Sequence, residues 1–551
     1  MDTRRRRRPE RGKAEEKERS SKVTSDGQDI SRTQRNCWIA LFAVALSALA
    51  WNQYALYFYS WTDEQILFYV ARRLAEGAVL YRDIDSARPP LALWPIALLL
   101  RMGWAPLLAG RALVLGAQLA TAGLLLWGGW RLASRRAGLL AALLFLTCPE
   151  VFDRAHYTGI QAVALTTAAC VLYFLRAQPF RSGLFLGLTL ATDQHGLVVC
   201  GAVALLTLVS RPRDAIRFAT GSLVVIVIVF GRVWLMGGRH LWADLFGIHL
   251  FHFRLGEGAN TQFWEKFTPW LCEHAYFVIG AGLGLALLGF RRKKSTSGEP
   301  ANTPSRTVRS LHLLVGVHVA VVLAMTEAAF LYVVVIAPML ALLAGIGFDA
   351  SATWWAERRQ ASRARARRAS RLMLAGATAT IALTAAGWAA ARSYREHLDE
   401  RPYSFWPHVL HGQLARFQRL GVAGPVAGSL ALPKTGTIFG DPTITTAVAL
   451  YGGFRVSGDL ADLNPTWLEA GTVRHEDVVS RIERDGVAAV VTSPWFMAES
   501  PYFRAYLMAC YEVPTIFSPP DSGAGSGLFD ILVYRHREGA SPCLVPRQER
   551  Q

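Results

Sequence analysis

Asp63 and Glu64 stand side by side directly after the first long apolar segment of the chain. Charge placed against lipid is costly and tends to mark function. Burial at such a place raises a carboxylate's pKa toward the range in which it takes a proton from an attacking group. The stretch 61–103 also carries Asp83, Asp85 and Arg88, and Arg111 follows it. Arginine gives paired donors to phosphate oxygens, so Arg88 and Arg111 are candidate phosphate clamps. A base at Asp63, a supporting carboxylate at Glu64 and two such cations fit a displacement in which a phosphate leaves. In the competing reading Asp63 and Glu64 are structural, capping the next helix or pairing with Arg72 or Arg73.

Those residues need elements to hold them. After Asp63 and Glu64 an amphipathic run sets Ile66, Phe68, Tyr69 and Leu74 on one side and Arg72, Arg73 and Glu76 on the other. Gly77 ends it, and Tyr81-Arg82-Asp83 leads on to Asp85. Arg88-Pro89-Pro90 then opens the apolar run 91–102, which is too short to span a bilayer comfortably.

The chain around this stretch is apolar. Of its 551 residues 52% are hydrophobic and only 18% charged, with mean hydropathy +0.24, which suits a multi-span membrane protein. The net charge of +18 would suggest a nucleic-acid partner, but the Lys and Arg cluster in short blocks between apolar runs, so nucleic acid is set aside. Spans are expected near 37–58, 106–130, 137–151, 157–175, 182–193, 196–210, 218–236, 270–290, 310–326, 328–348 and 371–391, eleven in all. With the N-terminus cytoplasmic, the basic blocks at 131–136, 176–181, 211–217, 291–309 and 357–371 all fall inside, provided that 91–102 does not cross. Residues 1–36, with Arg4 to Arg8, read as a disordered basic cytoplasmic tail able to touch anionic head groups. The long external loops are then 59–105 and 237–269, with everything after about 392 also outside.

The stretch 61–103 resembles the first external loop of the GT-C membrane glycosyltransferases, the group that includes the protein O-mannosyltransferases and the lipid A aminoarabinose transferase. Their pattern is an Asp-Glu pair, then G-x-x-x-Y-x-D, then Lys-Pro-Pro-Leu and an apolar helix ending in Gly. Here these are Asp63-Glu64, Gly77…Tyr81…Asp83, Arg88-Pro89-Pro90-Leu91 and Gly103, with Arg88 in place of the Lys. Arg111 matches an Arg that the family often carries before its second span. The resemblance implies transfer of a sugar from a polyprenyl-phosphate donor to a lipid, glycan or protein acceptor at the outer face, with inversion in one displacement. Asp63 matches the family's catalytic base. Tyr81, Asp83, Arg88 and Arg111 are the substrate-binding residues it implies. Where the family has Thr-Lys-x-x-Gly, this chain has Thr192-Asp193-Gln194-His195-Gly196, so a charge is reversed and phosphate handling would fall to His195, Arg88 or Arg111.

Elsewhere the loop 237–269 holds His240, Asp244, His249, His252, Arg254 and Glu257 among aromatics, with Arg254 a further substrate-binding candidate. His249 and His252 would share a helical face, but a pair without a third ligand is more often an interfacial polar face, so no metal or other cofactor is required. After residue 393 the tempo changes. Extended runs at Thr437–Phe439, Arg455–Ser457, Val487–Thr492 and Phe529–Tyr534 alternate with helical patterns at 443–451, 474–485 and 501–510, as in a small α/β domain. Cys510 and Cys543 both lie there, where a disulfide is permitted.

The expected architecture is an α-helical polytopic membrane protein of about eleven transmembrane helices, GT-C-like, with a C-terminal extracytoplasmic α/β domain. Its parts would be the tail 1–36, the catalytic membrane module 37–392 and the domain 393–551, in the cell membrane among its lipids. A transporter of lipid-linked sugars would put polar residues near the middle of broken spans in two matching halves. Here they gather at one face without an internal repeat. A non-catalytic scaffold displaying the C-terminal domain is the third reading, and Asp193 favours it.

Overall fold

The computed structural model describes residues 42–43, 62–148, 151, 159–193, 196–210, 212–238, 240–242, 245, 279–283, 308–317, 335–358, 423–433, 435–460, 474–493, 501–517 and 531–537. The chain divides into two compact units, Met1–Trp51 and Asn52–Gln551, and the account below concerns the second. The tail 1–36 and the span at 371–391 lie outside the described residues, as do most of the spans at 37–58 and 270–290.

The amphipathic run is helix α1, Thr62–Ala75. Acids in its first turn and Arg72 and Arg73 in its last match the helix dipole at both ends. It closes at Gly77, whose φ of +105° a side chain would strain, and the Ala78 amide donates to the Arg73 carbonyl at 3.0 Å. Helix α2, Pro90–Arg101, starts on the Pro-Pro pair and contains Pro95, which donates no ladder hydrogen bond. Its 12 residues reach about 18 Å against a hydrocarbon core of about 30 Å, as expected of a segment that does not cross.

The helices α3 (Pro106–Leu132), α4 (Arg135–Leu146), α5 (Gly159–Arg176), α6 (Pro179–Thr192), α7 (Gly196–Ser210), α8 (Pro212–Leu235) and α9 (Ala337–Arg358) follow. Among the described residues α3, α5 and α8 are long and apolar enough to cross a membrane. Helices α4, α6 and α7 lie at the spans expected at 137–151, 182–193 and 196–210 to within about five residues, whereas α9 starts nine residues later and ends ten residues later than the span expected at 328–348. The pair α6 and α8 meets backbone to backbone. A Cβ at Gly183 would stand 2.0 Å from the Phe218 carbonyl oxygen, and Ser222 Oγ donates to the Gly183 carbonyl at 3.0 Å. In lipid such contact relies on small residues and interhelical hydrogen bonds.

The C-terminal region folds around a five-stranded sheet in the order β2-β1-β3-β5-β4. The strands are β1 (Thr437–Gly440), β2 (Arg455–Val456), β3 (Ala489–Thr492), β4 (Thr515–Phe517) and β5 (Ile531–Arg535). β1 pairs in parallel with β2 and β3, and β5 runs antiparallel to β3 and β4. Helix α10 (Pro442–Gly452) carries the chain from β1 to β2, α11 (His475–Arg484) from β2 to β3, and α12 (Pro501–Cys510) precedes β4. All four residues of β3 are buried, which its unbroken apolar run Ala-Val-Val anticipates.

This sheet does not stand apart from the first loop. Leu67, Tyr69 and Val70 of α1 pack into one apolar cluster with Ala447 and Val448 of α10, Val456 of β2 and Val491 of β3. Each large side chain so buried contributes about 1.5–3 kcal/mol relative to exposure. Cys510 is buried and disulfide-bonded, and Cys148, Cys170 and Cys200 form no disulfide, so its partner lies outside the described residues, as Cys543 does.

Candidate active site at the first loop

Glu64 enters the structure as half of a buried ion pair. Arg111 Nη1 and Nη2 donate to its Oε1 and Oε2 at 2.8 and 2.9 Å, and the two side chains are 3% and 4% exposed. The local sequence explains the approach of the helices. Arg111 sits in the second turn of α3, and its neighbour Gly110 lies against the Phe68 ring, where a Cβ would stand 2.4 Å from a ring carbon. Two parallel donors fix the carboxylate in rotation as well as position. Arg72 and Arg73 pair with Glu76, at 3.2 and 2.8 Å. Asp63 is the residue before Glu64 in the first turn of α1, and its side chain lies outside the described set.

The G-x-x-x-Y-x-D segment folds into a tight loop on itself. Tyr81 is fully buried with φ +60°, a left-handed conformation that costs a non-glycine residue of order 1–3 kcal/mol. Its amide donates to the Ile84 carbonyl at 2.9 Å, and its hydroxyl donates to the Arg88 carbonyl at 2.5 Å. The loop is thus tied to the residue before the Pro-Pro pair. Asp83 Oδ2 accepts from the Val79 amide at 2.8 Å, and Arg82 grips both carboxylate oxygens at 2.8 and 2.7 Å. The Arg82 hydrogen bond, with that of the Val79 amide, holds the Asp83 carboxyl below its ordinary pKa against the opposing effect of partial burial. Tyr81 and Asp83 therefore turn their polar atoms to the loop itself. Arg88 is half-buried, and its amide donates to Ser86 Oγ at 3.1 Å.

Asp193 follows the last residue of α6 and is buried. Its amide donates to the Thr189 carbonyl at 2.8 Å and its carbonyl accepts from the Gly196 amide at 3.1 Å, which closes the turn into α7. His195, Arg254, His249 and His252 lie outside the described residues, whereas His240 is described and exposed. Among the described residues no three His, Cys, Asp or Glu side chains are grouped to hold a metal ion.

Sequence reasoning missed the contacts that bind α1 and its loop to the C-terminal region. Arg72 Nη1 and Nη2 donate to the carbonyls of Ala449 and Phe454, at 3.3 and 3.0 Å, at the C-terminal end of α10. The Val456 amide donates to Tyr69 Oη at 2.8 Å, and Arg481 Nη1 donates to Asp85 Oδ2 at 2.7 Å. Nothing local signals partners more than 370 residues away.

No protein-family model matches the sequence, and no curated protein matches it. Among solved structures the chain is similar to ArnT from Cupriavidus metallidurans bound to undecaprenyl phosphate, with 15% identity, 91% of this chain and 98% of that chain covered, and a TM-score of 0.56. The same protein in the apo state matches with 14% identity, 90% and 97% coverage, and a TM-score of 0.57. At such identities it is the fold alone that is shared.

Proposed function

We propose that this chain is an integral-membrane glycosyltransferase that moves a sugar from a polyprenyl-phosphate donor to an acceptor at the extracytoplasmic face. The observation that carries the reading is the Glu64–Arg111 pair. It fixes the first turn of α1, and with it the backbone that carries Asp63, against a membrane helix. The shared fold supports it, since the ArnT structure of that fold holds undecaprenyl phosphate.

In this reading Asp63 takes the proton from the acceptor as the acceptor's oxygen or nitrogen bonds to the anomeric carbon. The bond from that carbon to the phosphate oxygen breaks, and the polyprenyl phosphate leaves with the electron pair. A single displacement inverts the anomeric centre. Because Arg111 is engaged by Glu64, the leaving phosphate falls to Arg88, and His195 and Arg254 are the further candidates for it. Glu64 and Arg111 then act as one rigid support for the base. Tyr81 and Asp83 hold the loop that presents Arg88, and no metal is demanded. The extracytoplasmic placement rests on the pattern of basic blocks and on the disulfide at Cys510, a bond that persists in oxidising compartments.

The test is transfer of label from radiolabelled polyprenyl-phosphate hexoses and pentoses, using membranes that hold the wild-type chain or Asp63→Asn. Label that reaches a lipid, protein or glycan fraction with wild type alone supports the reading and names the acceptor class. Equal label with Asp63→Asn removes Asp63 as base, and no label from any donor removes the transferase reading.

A further inference from the structure

A cleft of about 290 Å³ opens between the C-terminal end of α1, helix α2 and the last turn of α8. Leu74, Ala78, Trp94 and Met236 line it, together with two cations, Arg101 and Arg232, and no acidic residue among the described residues does. The guanidinium of Arg232 lies over the Trp94 ring, 5.8 Å from its centroid, and has no carboxylate or hydrogen-bond partner among the described residues. Arg101 donates to the Leu74 and Ala75 carbonyls at 2.9 and 3.1 Å, which seats its charge at the cleft wall. The surface around the cleft is apolar and open, with Leu98 59%, Met102 65% and Leu235 87% exposed. Since α8 is long and apolar enough to cross a membrane, these side chains sit where a bilayer meets water. An exposed cation at the end of such a helix, with no counter-charge among the described residues, suits an anion with an apolar body.

We infer that this cleft binds the phosphate of an anionic phospholipid, between Arg101 and Arg232, with the acyl chains running over the exposed apolar side chains beside it. The site is separate from the proposed reaction centre. Arg88 stands before the first residue of α2 and Arg101 is its last, about 18 Å along the helix, too far for one phosphate to bridge both arginines. The inference concerns binding alone and stands or falls independently of the transfer reaction.

Native mass spectrometry of the full-length protein, released from micelles doped with phosphatidylglycerol or phosphatidylcholine, tests it. Wild type should retain phosphatidylglycerol in preference, and Arg232→Gln should reduce that retention about tenfold, the loss of one charge-assisted contact. Arg232→Lys should restore part of it. Ala78→Leu, which fills the cleft and keeps both charges, should also lose the lipid. Equal retention of the two lipids, or retention unchanged by Arg232→Gln, overturns the site. Loss with Arg232→Gln but not with Ala78→Leu overturns the cleft as its location. Displacement by millimolar inorganic phosphate overturns the lipid as ligand. Displacement by equimolar polyprenyl phosphate overturns its separation from the donor.

Discussion

Arg111→Met removes both donors from a Glu64 carboxylate whose side chain is only 3% exposed. Such a charge has no water to turn to, and breaking a buried pair from one side costs about 3–5 kcal/mol. Glu64→Leu takes this carboxylate from the guanidinium and should cost a similar amount. The double variant Glu64→Leu with Arg111→Met removes both charges of the pair together, and replacing a buried ion pair by apolar groups is often neutral or stabilising. The three variants therefore form a cycle in which the double is far more stable than the sum of the singles. Thermal unfolding of the full chain in one detergent and at one scan rate reads this out, because a membrane protein of this size unfolds irreversibly. At about 2.1 cal/mol/K per residue, the unit Asn52–Gln551 moves its midpoint by roughly 1 °C per kcal/mol. Each single should fall by about 3–5 °C, and the double should return to within about a degree of wild type. Transfer activity should stay lost in the double, because an apolar pair no longer fixes the first turn of α1. A double as destabilised as the two singles added together would refute the reasoning, for the pair would then not be what joins α1 to α3.

Two further outcomes follow from the loop and its contacts. Tyr69→Phe keeps the packing of the ring but leaves the buried Val456 amide without its acceptor, which should cost about 1–3 kcal/mol in thermal unfolding; a variant as stable as wild type would dismiss that bond. Asp83 is held below its ordinary pKa by Arg82, so its contribution to stability is present above the unfolded value of about 3.9 and is lost as pH falls through the lower folded value. Asp83→Asn should therefore flatten the acid limb of the stability profile. The step is small because solvent screens the pair, and identical acid limbs in the two proteins would remove Asp83 from the account.

What the sequence disclosed was set by how local its cause was. Helix α1 was legible because its apolar positions recur at helical spacing and Gly77 ends them, and both causes lie within sixteen residues. Strands β1, β2, β3 and β5 were legible as short apolar runs between helical patterns. β4 was not. It is an edge strand with Thr515 and Ile516 exposed, and its reason for being extended is β5, which arrives 14 residues later. Among the site residues, Glu64 and Arg111 could be named from their types, but not as partners of each other, since 47 residues separate them. The ties from Arg72 and Tyr69 to the sheet had no signal at all in their neighbourhood.

Those ties change what the C-terminal region is. Read along the chain it is a domain-sized piece that follows the last span, which suggests a module free to be exchanged. Yet α1 is held at both ends: Glu64 at its start is gripped by a membrane helix, and Arg72 near its end caps α10 beside the sheet. Its apolar face is covered by α10 and β2 rather than by lipid. The 14 residues of α1, about 21 Å long, thus form a strut between the membrane helices and the sheet. Arg481 adds a second tie at Asp85, three residues before Arg88. Displacing the sheet would uncover Leu67 and Val70 and release the loop that carries Arg88. The C-terminal region is therefore part of what shapes the loop proposed to carry the reaction.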